Sequence, residues 1–129
     1  MLQTAAEYLR DTSLAMTERY AGDCRQHAYK IAKLLIAEGR SPWIARIRET
    51  IVREDSVFHA PLTTRRLFGE DSVTWTTHYA ACDGSEVYDP LIGEPVPLEG
   101  YTQRLFGREI SVEIYLDCDA TEQFLKDIP

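Results

Sequence analysis

Asparagine is missing altogether from these 129 residues, so no catalytic constellation that needs Asn can be built here. Cysteine is scarce and odd in number. Cys24, Cys82 and Cys118 leave at least one thiol unpaired within the chain, and a reducing compartment keeps all three free. No two of them make a C-x-x-C pair, and the positions of Cys and His give zinc's usual ligand spacing no support. Long apolar runs are absent too. Lys33 and Glu38 interrupt the best stretch, which falls short of the ~18 residues a membrane span needs. The opening Met1-Leu2-Gln3-Thr4-Ala5-Ala6-Glu7 has no basic segment followed by an apolar block, which predicts no export signal and a cytoplasmic location. Basic charge is short in the second half. From Glu70 onward 3 Lys and Arg face 13 Asp and Glu, whereas up to Gly69 there are 11 against 8. A net charge of −7 with this asymmetry argues against a nucleic-acid partner, which needs a concentrated basic surface. The arginine-rich stretch from Arg40 to Arg66 is the one local basic run.

What is present suits one domain over residues 1–129. A chain of this length buries about two thirds of its surface on folding, enough for a core without staples. Hydrophobic residues at 44% and charged residues at 27% are the ordinary globular mix. Apolar spacing predicts a first helix from about Leu2 to Arg19, with Leu2, Ala5, Ala6, Leu9, Ala15 and Met16 near helical period. Asp23 is a candidate N-cap for a second helix from Cys24 to about Glu38. Its Cys24, Ala28, Ile31, Ala32 and Leu35 line one face, and Gly39 closes it. Period two then takes over. Trp43, Ala45 and Ile47 alternate with Ile44, Arg46 and Arg48, predicting a strand after Pro42. Ile51 to Phe58 reads as a second strand, and Pro61, Arg65, Arg66 and Gly69 as a basic loop. Val73 to Cys82 and Glu86 to Asp89 read as strands rich in Thr, Val and aromatics. Leu98 to Leu105 suits one or two helical turns. Glu109 to Leu116 alternates Ile110, Val112 and Ile114 with Ser111, Glu113 and Tyr115, and a short helix near Thr121 to Lys126 follows. Helices first and strands later, with no βαβ alternation, predict an α+β fold: N-terminal helices packed on an antiparallel sheet.

The Asp83-Gly84 pair favours a two-residue hairpin turn. With those two residues as the loop, Cys82 faces Ser85 and His78 falls directly opposite Asp89. Cross-strand partners on one face have Cβ atoms about 4.5–5.5 Å apart, a distance at which a carboxylate holds an imidazole in one tautomer. A one-residue slip would separate them onto opposite faces. Cys24, expected in the first turn of its helix, sits where unpaired N–H groups and the dipole favour a thiolate. Its own N–H is a candidate oxyanion donor there. Cys24, His78 and Asp89 therefore make a candidate Cys-His-Asp nucleophilic site. Each also has a plainer reading: Cys24 as core, His78 as a packed or surface imidazole, Asp89 as a turn residue before Pro90.

Gly22-Asp23-Cys24 opening a helix, Thr77-His78-Tyr79 in a strand, and Val87-Tyr88-Asp89-Pro90 in the next together resemble the transglutaminase-like and papain-like superfamily of cysteine hydrolases. The stretch from His78 to Pro95 is similar to the His and Asp blocks of bacterial protein-glutaminase and papain-fold deamidase domains. The resemblance covers roughly Ala21 to Leu105 by scattered motifs. It implies a Cys-bearing helix against an antiparallel sheet that carries the His and Asp. It also implies Cys24 as nucleophile, His78 as general base and acid, and Asp89 as the orienting carboxylate. The chemistry implied is cysteine-dependent hydrolysis or acyl transfer at amide bonds of a protein or peptide: Gln deamidation, peptide cleavage or isopeptide cleavage. No cofactor and no metal are implied. Papain-like peptidases usually carry Asn as the third member and a Gln before the Cys. Here Asn is absent, and Glu18 or Tyr20 stands in the region where that Gln would be sought, with Gln3 and Gln26 elsewhere.

Among other candidates, His27 lies one turn after Cys24 and reads better as decoration of the helix. His59 beside Pro61 lacks an evident partner. Cys82 shares the His78 face but lies roughly 13 Å along the strand. Cys118 sits between Asp117 and Asp119, and like charge disfavours its thiolate. Trp43 and Trp75 read as core or cleft walls, and Arg65 and Arg66 as solvated charge. A second reading of the whole is a catalytically inactive protein-binding domain on the same fold. A zinc site on Cys24 and His78 is a third.

Overall fold

The computed structural model describes residues 3–14, 20–60, 62–63, 74–75 and 77–126. Helix α1, Ala5–Leu14, begins at a reciprocal cap written Thr4-Ala5-Ala6-Glu7. The Glu7 N–H donates to Thr4 Oγ1 at 3.1 Å, and the Thr4 N–H donates to Glu7 Oε1 at 3.3 Å, so two orphan amides of the first turn are satisfied. Leu2, Ala15 and Met16, expected in this helix, lie outside the described residues.

Helix α2 runs over Tyr20–Ala37 and starts earlier than the sequence suggests. Asp23 is inside the helix rather than at its cap. Ala21 is a strong helix former and one Gly costs only about 1 kcal/mol, so Ala21-Gly22 does not break it. The predicted face is correct: Cys24, Ala28, Ile31, Ala32 and Leu35 are all buried. The C-terminus closes as a Schellman motif. Gly39 N–H donates to Ile36 O at 2.9 Å and Arg40 N–H to Leu35 O at 3.0 Å, with Gly39 at φ +81°. A side chain there is strained by its backbone although no atom lies within 4 Å of a Cβ. Gly39→Ala is therefore expected to lower stability by about 1 kcal/mol, measured by urea unfolding; an unchanged midpoint would show that the chain end relaxes freely.

The strands are β1 Trp43–Ile47, β2 Glu49–Arg53, β3 Ser56–Ala60, β4 Leu62–Thr63, β5 Thr74–Trp75, β6 His78–Asp83, β7 Glu86–Tyr88, β8 Val96–Pro97 and β9 Val112–Leu116. Helix α3, Tyr101–Phe106, precedes β9, and α4, Cys118–Lys126, follows it. Among the described residues a five-stranded antiparallel sheet has the order β8-β7-β6-β1-β9. The fold is α+β, with helices and antiparallel sheets.

Two expected strands are each divided. Ile51 to Phe58 is the hairpin β2–β3, turning at Glu54-Asp55 with Glu54 at φ +46°. That turn carries no Gly, so its signal is hidden. The hairpin pairs Val52 with Val57, and both side chains are mostly exposed. Val73 to Cys82 is broken between β5 and β6, with Val73 itself outside the described residues. Ile114 also departs from its expected inward place and is exposed, because β9 is an edge strand with a register shift opposite Ile44 and Ala45.

Alternation along β1 and β6 divides the core in two. Ile44 and Ala81 pack with Ala5, Leu9, Ala28, Ile31, Leu35 and Leu125 beneath α1, α2 and α4. Ala45, Ile47, Ala80, Cys82 and Val87 pack on the other face with Tyr101, Leu105 and Phe106 of α3. Cys24 groups with this second cluster, although its helix belongs mainly to the first. The two oppositely charged halves of the chain meet across the fold. Arg40 pairs with Asp83 at 2.5 Å, and Arg46 and Arg48 pair with Glu113 at 3.1 and 2.9 Å.

Candidate active site

His78 opens β6, and Asp89 follows the last residue of β7. Both are fully buried, and His78 Nε2 lies 2.7 Å from Asp89 Oδ2. A carboxylate only accepts, so Nε2 carries the proton and donates. The contact is the expected one, but the register that makes it is not. Cys82 pairs with Val87 and Asp83 with Glu86, so the loop is Gly84-Ser85 rather than Asp83-Gly84. Gly84 takes φ +58° while Ser85 stays negative, the pattern of a type II′ turn, whose first central residue is Gly. Trp43 Nε1–H donates to Gly84 O at 3.0 Å, and Asp83 is held by Arg40. The shift moves each partner by two positions, an even number, so His78 and Asp89 stay on one face as diagonal neighbours.

Asp89 is held from several sides. Its Oδ1 accepts the Leu91 N–H at 2.9 Å, and its Oδ2 accepts the Tyr101 hydroxyl as well as His78. Burial alone would raise its pKa, but the His78 charge and these donors bring it below the ordinary carboxylate value. For His78, burial opposes the charged ring. The Asp89 charge and hydrogen bond, with a smaller contribution from Cys24, outweigh burial and push its pKa up to about 9. An imidazolium paired to a carboxylate is therefore the form present at neutral pH.

Cys24 completes the group. The residue is 5% exposed, and it lies near enough to the His78 ring to help raise that ring's pKa. The helix start at Tyr20 changes one expectation. Cys24 lies past the four unpaired amides of a helix N-terminus, so its N–H belongs to the helical ladder and not to an oxyanion pocket. The Phe106 ring meets the imidazole edge-on, with centroids 6.2 Å apart at 81°.

The remaining candidates fall elsewhere. Burial, followed by the Asp89 charge, pushes the Cys82 thiol up, so it is held protonated. Cys118 is exposed and donates to Ser41 O at 3.2 Å. His27 Nδ1 lies 2.8 Å from the Tyr8 hydroxyl, linking α1 to α2. His59 has the partner the sequence did not show, with Nδ1 3.3 Å from Thr50 Oγ1. Gln3 bonds Asp11 at 3.1 Å, and Gln26 is exposed. Glu18, Pro61, Arg65, Arg66, Gly69 and the Trp75 side chain lie outside the described structure, as does the Tyr20 side chain. Among the described residues no three His, Cys, Asp or Glu side chains converge in a way that would hold a metal ion. No helix there is long and apolar enough to cross a membrane.

Sequence reasoning missed Tyr101 and Phe106. The available signal was a short helical stretch holding Tyr101, Leu105 and Phe106 shortly after Asp89, in which all three are buried. No protein family, curated protein or solved structure matches the chain.

Proposed function

We propose that this chain is a small cysteine hydrolase or acyl-transferase acting on amide bonds of a protein or peptide, on a papain-like or transglutaminase-like core. The observation that carries the reading is that Asp89 bonds the ring of buried His78 while Cys24 lies near enough to that ring to help raise its pKa. The helix bearing Cys24 packs against β6, which bears His78, as the resemblance implies. A charged imidazole beside a thiolate is the setting in which cysteine nucleophiles work. The Cys24 thiolate adds to the carbonyl carbon, and the His78 imidazolium gives its proton to the departing nitrogen. The resulting thioester is cleaved by water, whose proton His78 takes, and the acid leaves as the thiolate–imidazolium pair is restored. With Gln side chains as substrates the first product is ammonia; with peptide or isopeptide bonds it is an amine.

Site-resolved iodoacetamide labelling tests the pair. Cys24 is expected to alkylate at about pH 6.5, where an ordinary thiol of pKa about 8.5 reacts slowly, and to lose that reactivity in His78→Ala. Cys24→Ala is expected to abolish ammonia or amine release from Gln-containing proteins. The burial of all three side chains favours a second reading, a non-catalytic binding domain using them as a polar core network. A Cys24 that is inert at every pH, or reacts like a free thiol, removes the first reading and turns the search to a binding partner.

A further inference from the structure

The geometry points to Tyr101 as a positioning residue of this site: its hydroxyl donates to the same Asp89 oxygen that accepts the His78 proton, and so sets how much carboxylate charge the imidazole meets. Tyr101 is 1% exposed and is the first residue of α3. Its place is determined by the backbone just before it. Its N–H donates to Leu98 O at 3.1 Å, and Gly100 turns the chain at φ +81°. At the other end of the same helix, Phe106 packs against the imidazole. Thr102 ties the helix down by accepting the Ile110 N–H at 3.1 Å. A six-residue helix thus touches both partners of the dyad.

The physical consequence lies in the sharing of Oδ2. Each donor on a carboxylate draws negative charge toward itself and weakens the oxygen as a base. With Tyr101 and His78 on one oxygen and Leu91 on the other, Asp89 attracts the imidazolium without competing strongly for its proton. Under the cysteine-hydrolase reading, on which this inference rests, His78 must release that proton to a departing nitrogen. An imidazolium held by an unshared carboxylate is a weaker acid for that step. The groups facing His78 are Asp89 from the end of β7, Cys24 from α2 and Tyr101 from α3 by way of Asp89. Cys82, on the same strand face, is held as a neutral thiol.

The test is an NMR titration of the His78 ring in full-length Cys24→Ala protein, where the imidazole titrates without the thiol. Adding Tyr101→Phe removes the hydroxyl and keeps the buried ring. The His78 midpoint is expected to rise by about half to one pH unit. Site-specific 3-fluorotyrosine at position 101, a stronger donor of nearly the same shape, is expected to lower it, and this holds the proposal to account if the Phe variant folds poorly. Thr102→Val loosens the same helix without touching Asp89 and is expected to leave the midpoint in place. An unmoved midpoint in both Tyr101 variants, or an equal shift in Thr102→Val, overturns the assignment. Because the titration needs neither substrate nor Cys24, it fails independently of the hydrolase reading, which the alkylation profile decides.

Discussion

Replacing Asp89 with Ala is expected to lower the free energy of unfolding by about 3–5 kcal/mol, the usual cost of leaving a buried charge without its partner. Three donors lose their acceptor at once: His78 Nε2–H, the Tyr101 hydroxyl and the Leu91 N–H. The side-chain donors have no water to turn to, because His78 and Tyr101 are at most 1% exposed, and Leu91 is buried at 3%. Each unsatisfied donor costs about 1–3 kcal/mol, and the imidazole partly escapes by giving up its proton, so the total is less than the sum. Asp89→Asn is the informative companion. If its amide oxygen takes the place of Oδ2 it still accepts from His78 and Tyr101, but its NH₂ must then face the Leu91 N–H, which cannot accept. The Asn variant is expected to lie between wild type and Ala. Urea unfolding of the three proteins measures this. An Ala variant within about 1 kcal/mol of wild type, well inside the range that buried partners ordinarily exceed, would show that the dyad is hydrated and not buried as described.

The second large effect is on pH dependence. The folded pKa of His78 lies above its unfolded value, at about 9 against 6.5. The folded state therefore binds a proton that the unfolded state releases. This stabilisation is fully present below about pH 6.5 and is lost as pH rises through about 9; a gap of this size corresponds to about 3 kcal/mol. The depressed pKa of Asp89 is the same interaction seen from the carboxylate. Its contribution is present above the ordinary carboxylate value of 3.8 and is lost as pH falls through the lower folded value. The urea midpoint of wild type should thus fall steadily between about pH 6.5 and 9.5, and His78→Gln should flatten that window. A flat wild-type profile, or an equal fall in the Gln variant, would assign the dependence to other groups.

Much of this arrangement was legible where one local rule dominates. The α2 face from Cys24 to Leu35 and its Gly39 stop need only helical period and one positive φ, and both appear as read. The dyad was legible for a subtler reason. The turn was misplaced, because Asp83-Gly84 and Gly84-Ser85 are both good hairpin pairs and the choice between them was made by Arg40 and Trp43 reaching across the fold. Side-chain alternation survived the error because the displacement was even. Tyr101 was not legible, since its role depends on α3 folding back over the sheet, and no short-range pattern encodes that. The β2–β3 turn was missed for the opposite reason: Glu54 occupies a left-handed position that sequence preference reserves for Gly or Asn. The upstream start of α2 shows propensity outweighing a plausible cap.

Helix α2 also acts as a ruler. Its far end is anchored twice, by Glu38 Oε2 accepting the Ala5 N–H of α1 at 3.0 Å and by Arg40 gripping Asp83 at 2.5 Å. From there about 20 Å of helix, at about 1.5 Å per residue, carries Cys24 back to the mouth of β6. The sulfur is thus located by length as well as by its own neighbours. One residue inserted or removed along that span would carry it about 1.5 Å along the axis and about 100° around it, out of reach of the imidazole. The number of residues between Cys24 and Gly39 is therefore as much a part of the site as the identity of its side chains.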